Sequence, residues 1–417
     1  GGEVSARNRA AKLAQAYLVL DDAGRRDFLC ELAKFDSDPD AVAAAFATVQ
    51  AAPGPAERAT AQVALRRALE PPRVRLLTQF TTIPDGMKFL VDLRATLLDL
   101  TRGDPHLAAL ESDLRTLLAS WFDVGFLELQ RIDWNSPAVL LERLVGYEAV
   151  HEIRSWSDLK NRLDSDRRCY ALFHHRMPNE PLIFVEVALT RGLAGSVQSL
   201  LDKRAPLLDP KLAAIFYSIS NCQRGLAGIS FGNFLIKRVV ELLGSDFRNL
   251  KAFATLSPIP GFRKWLDARL AADDPALLSE EESSTLRTAA PAEAPAAATG
   301  PQALAAILQR RGWFREPLML RAVEGVLIRL AARYLLLESR GKRALDPVAH
   351  FHLSNGARVE RITMLADTSG KGVRESATLM VNYVYDPPHI EDYHEEYAGE
   401  GKRNASTQVR RLSRGWS

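Results

Sequence analysis

Cysteine is scarce in this 417-residue chain: Cys30, Cys169 and Cys222 are the three, far apart and odd in number. That argues against a secreted disulfide framework and a cysteine-rich metal site, and it suits a reducing, cytoplasmic setting. An excess of one charge is also lacking. Lysine plus arginine number 54 against 51 aspartate plus glutamate, a formal balance of +3, so nothing calls for a surface dedicated to nucleic acid. Long uncharged apolar runs and a charged-then-apolar leader pattern are missing, which argues against a membrane span and against secretion. What the chain does have is apolar bulk: 47% hydrophobic residues over this length can bury substantial cores in two or three domains.

From about Arg7 to Phe122 alanine and leucine abound at helical spacing, so residues 1–134 are expected to form an all-α helical bundle, a scaffold or assembly surface. Asp38-Pro39 and Asp104-Pro105 each set an N-cap residue before a proline at the first helical position, and so mark helix starts. Leu90, Leu93, Leu97 and Leu100 form an apolar stripe after the Pro84-Asp85-Gly86 break. Past the RIDWNSP segment, strand-like runs alternate with helical ones, which predicts a second, α/β domain over residues 135–417. Cys169–His174 and Leu182–Leu189 read as an antiparallel pair of strands. Residues 272–302, rich in alanine, proline and serine, read as a mobile loop. Two short alternating runs around Ser354-Asn355-Gly356 read as a hairpin with His350 and His352 on one strand face; no third ligand matches them, so no metal is assigned. The basic tail from Lys402 to Ser417 is expected to fray.

The most informative stretch runs from Phe216 to Leu266. The apolar run Ile215–Ile219 reads as a strand; Gly225, Gly228 and Gly232 follow; only then do Phe234, Leu235, Val239 and Leu242 begin a helical pattern. Strand, glycine-punctuated turn and helix make a phosphate cradle, because the first N–H groups of a helix lack partners and carry the positive end of its dipole. A tight strand-to-helix turn is the other reading of the same spacing. Lys237, Arg238 and Lys264 either add charge for a phosphate or solvate a surface. Phe253–Leu256 reads as the next strand, leaving through Ser257-Pro258-Ile259-Pro260-Gly261, a rigid exit that holds a side chain still.

Six pieces of the sequence, RRCYALFHH, AAIFYSIS, GNFLIKRVV, LSPIPGF with KWL close behind, DPVAHFHLSNGA and LMVNYVY, together resemble the malonyl-CoA decarboxylase family over about Trp134 to Tyr385. The resemblance implies a helical N-terminal domain used in self-association, hence a homo-oligomer (dimer or tetramer), and a catalytic domain with the acetyltransferase-like (GCN5-related) fold. It implies that the acyl-CoA pyrophosphate rests on backbone amides in the stretch of Gly225, Ala227, Gly228, Ser230, Gly232 and Asn233, with Lys237 and Lys264 as cations. Cys222 stands where acetyltransferases usually carry arginine or glutamine, and Ser230 where animal relatives carry glutamate. It puts the functional serine at Ser257 and the functional histidine at His352, with further hydroxyls at Ser218 and Tyr385.

The reaction so implied turns malonyl-CoA into acetyl-CoA and carbon dioxide with no metal or organic cofactor. Loss of carbon dioxide leaves a thioester enolate, which needs hydrogen-bond donors and then an acid. Ser257 either orients the malonyl carboxylate or, in a rival scheme, attacks as a nucleophile activated by His352; His352 either donates the proton or polarises the thioester. A CoA-dependent acyltransferase and a non-catalytic malonyl-CoA sensor are the competing functions.

Overall fold

The computed structural model describes residues 2–164, 166–201, 213–229, 232–292, 294 and 298–414. Before the first strand come α1 (Gly2–Leu18), α2 (Asp22–Ala33), α3 (Pro39–Ala51), α4 (Pro55–Leu69), α5 (Pro72–Phe80), α6 (Gly86–Leu100) and α7 (Pro105–Trp121). The aspartate-proline signals start helices as expected. The Asp38 carboxylate accepts from the Asp40 N–H, and that of Asp104 from the His106 and Leu107 N–H groups, while each proline sits where a missing N–H costs nothing. Leu90, Leu93 and Leu97 on α6 are fully buried.

Strands and helices then alternate: β1 (Leu127–Ile132), α8 (Ala138–Tyr147), α9 (Trp156–Arg162), β2 (Arg167–His174), β3 (Ile183–Thr190), α10 (Val197–Leu201), β4 (Ala213–Asn221), α11 (Gly232–Asp246), β5 (Ala252–Thr255), β6 (Ser257–Pro258) and α12 (Phe262–Ala271). After them come α13 (Glu280–Ala289), α14 (Gly300–Gln309), α15 (Pro317–Leu336), the short pair β7 (Ser339–Arg340) and β8 (Arg343–Ala344), α16 (Pro347–Ser354), β9 (Arg358–Thr363), α17 (Gly370–Ser376), β10 (Met380–Tyr385), α18 (Ile390–Glu400) and α19 (Thr407–Ser413). The fold is therefore a helical domain followed by a mixed α/β domain. Its eight-stranded sheet has the order β1-β2-β3-β4-β5-β10-β6, with β9 also on β10. Hydrogen bonds from Leu182 N to Leu172 O and from Leu189 N to Asp166 O run in opposite senses along the two strands, as an antiparallel β2–β3 pair requires.

By contact the chain forms two compact units. One comprises residues 1–130, 171–184 and 221–232; the other comprises 131–170, 185–220 and 233–417. In the second unit, β4 and β5 are parallel from Ala213 opposite Ala252 to Phe216 opposite Thr255, and β4 then runs on to Asn221 without that partner. β10 is antiparallel to β5 and β6, with Tyr385 opposite Phe253 and Val381 opposite Ser257. Alternation along each strand thus puts Phe216, Ser218, Thr255, Ser257, Tyr383 and Tyr385 on one face. Ile215, Tyr217, Ala254, Met380 and Val384 take the other face, in a buried apolar cluster with Val197, Leu200 and Ala366.

Three expectations need correction. The Asn355-Gly356 pair ends helix α16 rather than turning a hairpin: Asp346 caps its start through the Val348 and Ala349 N–H groups, Pro347 follows, and Gly356 takes the left-handed conformation beyond its end (φ 81°). His350 and His352 therefore do not share a strand face. Within residues 272–302, α13 and α14 begin with capping boxes, Ser279 with Glu282 and Thr299 with Gln302, and Arg329 grips the Glu282 carboxylate at 2.9 and 2.8 Å. The described part of the basic tail, 402–414, is likewise ordered: Ser406 caps α19, its N–H donates to Val359 O at 2.8 Å, and Val409 is buried.

Candidate active site

Three of the four expected catalytic residues meet in one buried chain of hydrogen bonds. The Tyr385 hydroxyl lies 2.8 Å from His352 Nδ1, His352 Nε2 lies 3.1 Å from Ser257 Oγ, and Ser257 Oγ lies 2.8 Å from Thr255 Oγ1. Thr255 Oγ1 also accepts the Tyr383 N–H at 3.1 Å, and the Tyr383 ring stacks on the imidazole with centroids 4.6 Å apart. Strands supply the hydroxyls from one sheet face, and α16 supplies the histidine.

One buried carboxylate aligns the two segments. Asp346 accepts the Val348 and Ala349 N–H groups at 3.0 Å each, opening α16, and with its second oxygen accepts the Gly261 N–H at 3.2 Å. It thereby ties the helix that carries His352 to the Pro-Ile-Pro-Gly exit that follows Ser257. Gly261 has no room for a side chain, since a Cβ would come within 2.1 Å of the Tyr334 hydroxyl oxygen.

Burial sets the protonation states. It pushes His352 down to about 3 and the Tyr385 phenol well up, so near neutral pH both are uncharged. With Tyr385 O–H donating to Nδ1, the imidazole carries its proton on Nε2 and donates to Ser257, which donates to Thr255. The hydrogens of Tyr385, His352 and Ser257 then each have an acceptor. In this state His352 is a neutral donor, and the Ser257 proton points away from it.

Ser218, the fourth residue, stands apart from that chain. Two residues beyond Phe216 on β4, it is level with Ser257 when the β4–β5 register is continued. Its hydroxyl lies 2.8 Å from both oxygens of Glu148, a residue that sequence reasoning did not single out. Glu148 lines a cavity of about 780 Å³ together with His151, Arg162, Asp367 and Lys371.

The glycine segment belongs to the other unit, and its glycines answer first to packing. A Cβ on Gly225 would come within 1.8 Å of the Val91 carbonyl oxygen on α6, and Gly228 has a φ of 76°. Arg94, buried on α6, donates to Gly225 O at 2.6 Å and Ala227 O at 2.9 Å while its other nitrogens hold Glu111. Arg115 donates to Gly228 O. The Ala227 N–H closes the turn onto Arg224 O, so it is used within the loop. Arg94 was also missed from sequence, because nothing in a helical stripe marks an arginine that reaches a loop over a hundred positions away. Ser230 lies outside the described residues, as do the side chains of Gly232 and Asn233. Lys237 is ion-paired with Glu391, and Lys264 is exposed on α12.

Comparison with known proteins matches residues 35–122 to the Malonyl-CoA decarboxylase N-terminal domain and residues 125–416 to the Malonyl-CoA decarboxylase C-terminal domain. The chain is 39% identical over 357 residues to "Malonyl-CoA decarboxylase, mitochondrial" of Mus musculus, spanning 83% of this chain and 72% of the mouse protein. It is 37% identical over 421 residues to the protein of the same name from Anser anser anser, spanning 97% and 83%. The crystal structure of malonyl-CoA decarboxylase from Agrobacterium vitis superposes with a TM-score of 0.88 at 41% identity, covering 99% of this chain and 96% of that one. With both domains matched and the whole fold shared, the chain belongs to the malonyl-CoA decarboxylase family.

Proposed function

We propose that the chain, a decarboxylating lyase by family, converts malonyl-CoA to acetyl-CoA and carbon dioxide by meeting the malonyl group with uncharged donors, Ser257 and the neutral imidazole of His352. The observation that carries this reading is the buried chain Tyr385–His352–Ser257–Thr255. A carboxylate about to leave as carbon dioxide must shed its charge, and a tight ion pair would stabilise the ground state it has to leave. Ser257 orients it without such a pair. The thioester oxygen gains charge as the enolate forms, and the imidazole Nε2–H, turned from Ser257 Oγ to that oxygen when substrate binds, stabilises it in a dry site. The rival acyl-serine route would need the Ser257 proton turned toward Nε2, which would leave the Tyr385 proton to find a new acceptor.

On this reading CoA is part of the substrate, and no metal or organic cofactor takes part. The turn of Gly225, Ala227 and Gly228, buttressed by Arg94, holds the pyrophosphate, as acetyltransferase-like folds do with backbone amides. A homo-oligomer, dimer or tetramer, is built partly through the helical domain, and light scattering at micromolar concentration tests it: a sharp monomer counts against it. No described helix is long and apolar enough to cross a membrane. A cytoplasmic location fits the three cysteines, none in a disulfide.

The decisive experiment incubates the protein with malonyl-CoA in deuterated buffer beside Ser257→Ala and His352→Ala. Acetyl-CoA bearing one deuterium from the parent, with a loss of about a hundredfold or more in both variants, supports the reading. Intact malonyl-CoA bound without turnover points to a sensor; free CoA released only with an added amine points to an acyltransferase.

A further inference from the structure

Every turnover consumes one proton at carbon, and the donors described so far are sealed: Ser257, His352 and Tyr385 are each at most 5% exposed. A path for that proton starts at Ser218. Its Oγ, on the same sheet face as Ser257 and two residues past the last β4–β5 pair, Phe216 opposite Thr255, donates to a Glu148 carboxylate whose two oxygens both lie at 2.8 Å. Glu148 is itself held: the Val150 and His151 N–H groups donate to its Oε1 at 2.8 Å each. Its loop is latched to β4 where the Ala149 N–H meets Ser220 Oγ at 3.2 Å, and to α17 where Lys371 Nζ meets Ala149 O at 2.8 Å. One oxygen pair thus touches a serine that is 2% exposed and also faces a cavity of about 780 Å³.

We propose that Glu148, acting through Ser218, returns the proton to the carbon that carbon dioxide leaves. The electron pair of the enolate forms the new C–H bond with the Ser218 hydroxyl proton as the Glu148 carboxylic acid proton passes to Ser218 Oγ. The carboxylate left behind is reprotonated by water of the cavity. Atoms and charge balance: one solvent proton is taken up and one C–H bond is made. This rests on the decarboxylation reading above.

The groups around Glu148 suit a proton store. His151 follows on its own loop; Asp367 and Lys371 line the same cavity; Glu186 of β3 and Arg162 of α9 meet at 3.2 Å behind it. Burial, first, and then the nearby Glu148 push the fully buried Glu186 up to about 8 despite Arg162, so a second carboxyl beside Glu148 holds its proton near neutral pH.

The test reads the donor directly. In equal parts of light and heavy water, the ratio of protium to deuterium in the acetyl-CoA methyl group reports which acid delivers the proton, whatever the turnover rate. Parent, Glu148→Gln, Ser218→Ala and Glu148→Asp are compared by that ratio, by kcat and KM, and by thermal melting. Expected are a ratio shifted equally in Glu148→Gln and Ser218→Ala, kcat lowered about tenfold or more with KM within about twofold, and a ratio restored in Glu148→Asp. The parent's ratio in both Glu148→Gln and Ser218→Ala overturns the relay, whether or not kcat falls. A parent that makes no acetyl-CoA at all instead overturns the decarboxylation reading.

Discussion

At the scale of single residues, His352 couples the site to pH. Unfolded, it takes up a proton near 6.5; folded, burial holds it down to about 3. Between those values the unfolded chain binds the extra proton, so stability falls as pH falls through this window, by roughly 1.4 kcal/mol per pH unit crossed, and levels off below it. Denaturant titrations at about pH 7 and about pH 5 should show this loss, and His352→Gln should lessen it. If the variant keeps the parent's acid sensitivity, the histidine is not the group responsible. Nitrogen NMR should likewise find the His352 imidazole still neutral at about pH 5, beside that of His174, which burial holds down to about 4. Ser257, His352 and Tyr385 were legible because their motifs are long. Glu148 was not, since a carboxylate in Tyr-Glu-Ala-Val-His announces no partner, and its role depends on a strand 70 positions later.

At the scale of elements, the sequence carried the strands well and misjudged one short helix for a reason visible in its caps. Asp346-Pro347 is the same start signal as Asp38-Pro39, but the Asn355-Gly356 pair is common to hairpins and helix ends, and apolar alternation over a few residues does not separate them. The helix is what lets His352 reach Ser257. Asp346→Ala should therefore cost about 2–4 kcal/mol, from a lost cap plus buried N–H groups without acceptors. It should also lower kcat by more than Asp346→Asn does, since asparagine keeps an acceptor oxygen; equal activity of alanine variant and parent would show that the clamp does not align the site. Gly356→Ala tests the other end. Its φ of 81° and a Cβ that would come within 2.0 Å of Ile390 O predict a loss of at least about 2 kcal/mol, read as a lowered denaturant midpoint.

At the scale of the whole molecule, composition and periodicity distinguish a helical half from an α/β half, but they cannot show which later segments the helices need. The first unit includes residues 171–184 and 221–232 as well as the helices. In it Arg94, 2% exposed, depends on the Gly225 and Ala227 carbonyls, and Arg115 reaches Gly228 O. Phe122, 1% exposed, lies against the His174 ring at 4.8 Å, and His174 Nε2 meets Trp121 O at 3.1 Å. A fragment of residues 1–134 would keep its caps and helical periodicity while leaving Arg94 with Glu111 alone and uncovering Phe122. We expect it to be helical by circular dichroism yet to melt broadly and well below the full chain, because the stranded guanidinium and the bared apolar face each forfeit about 1–3 kcal/mol. A cooperative melt at the temperature of the full chain would mean that the helices close their own core, and that the glycine loop borrows its support from them without giving any back.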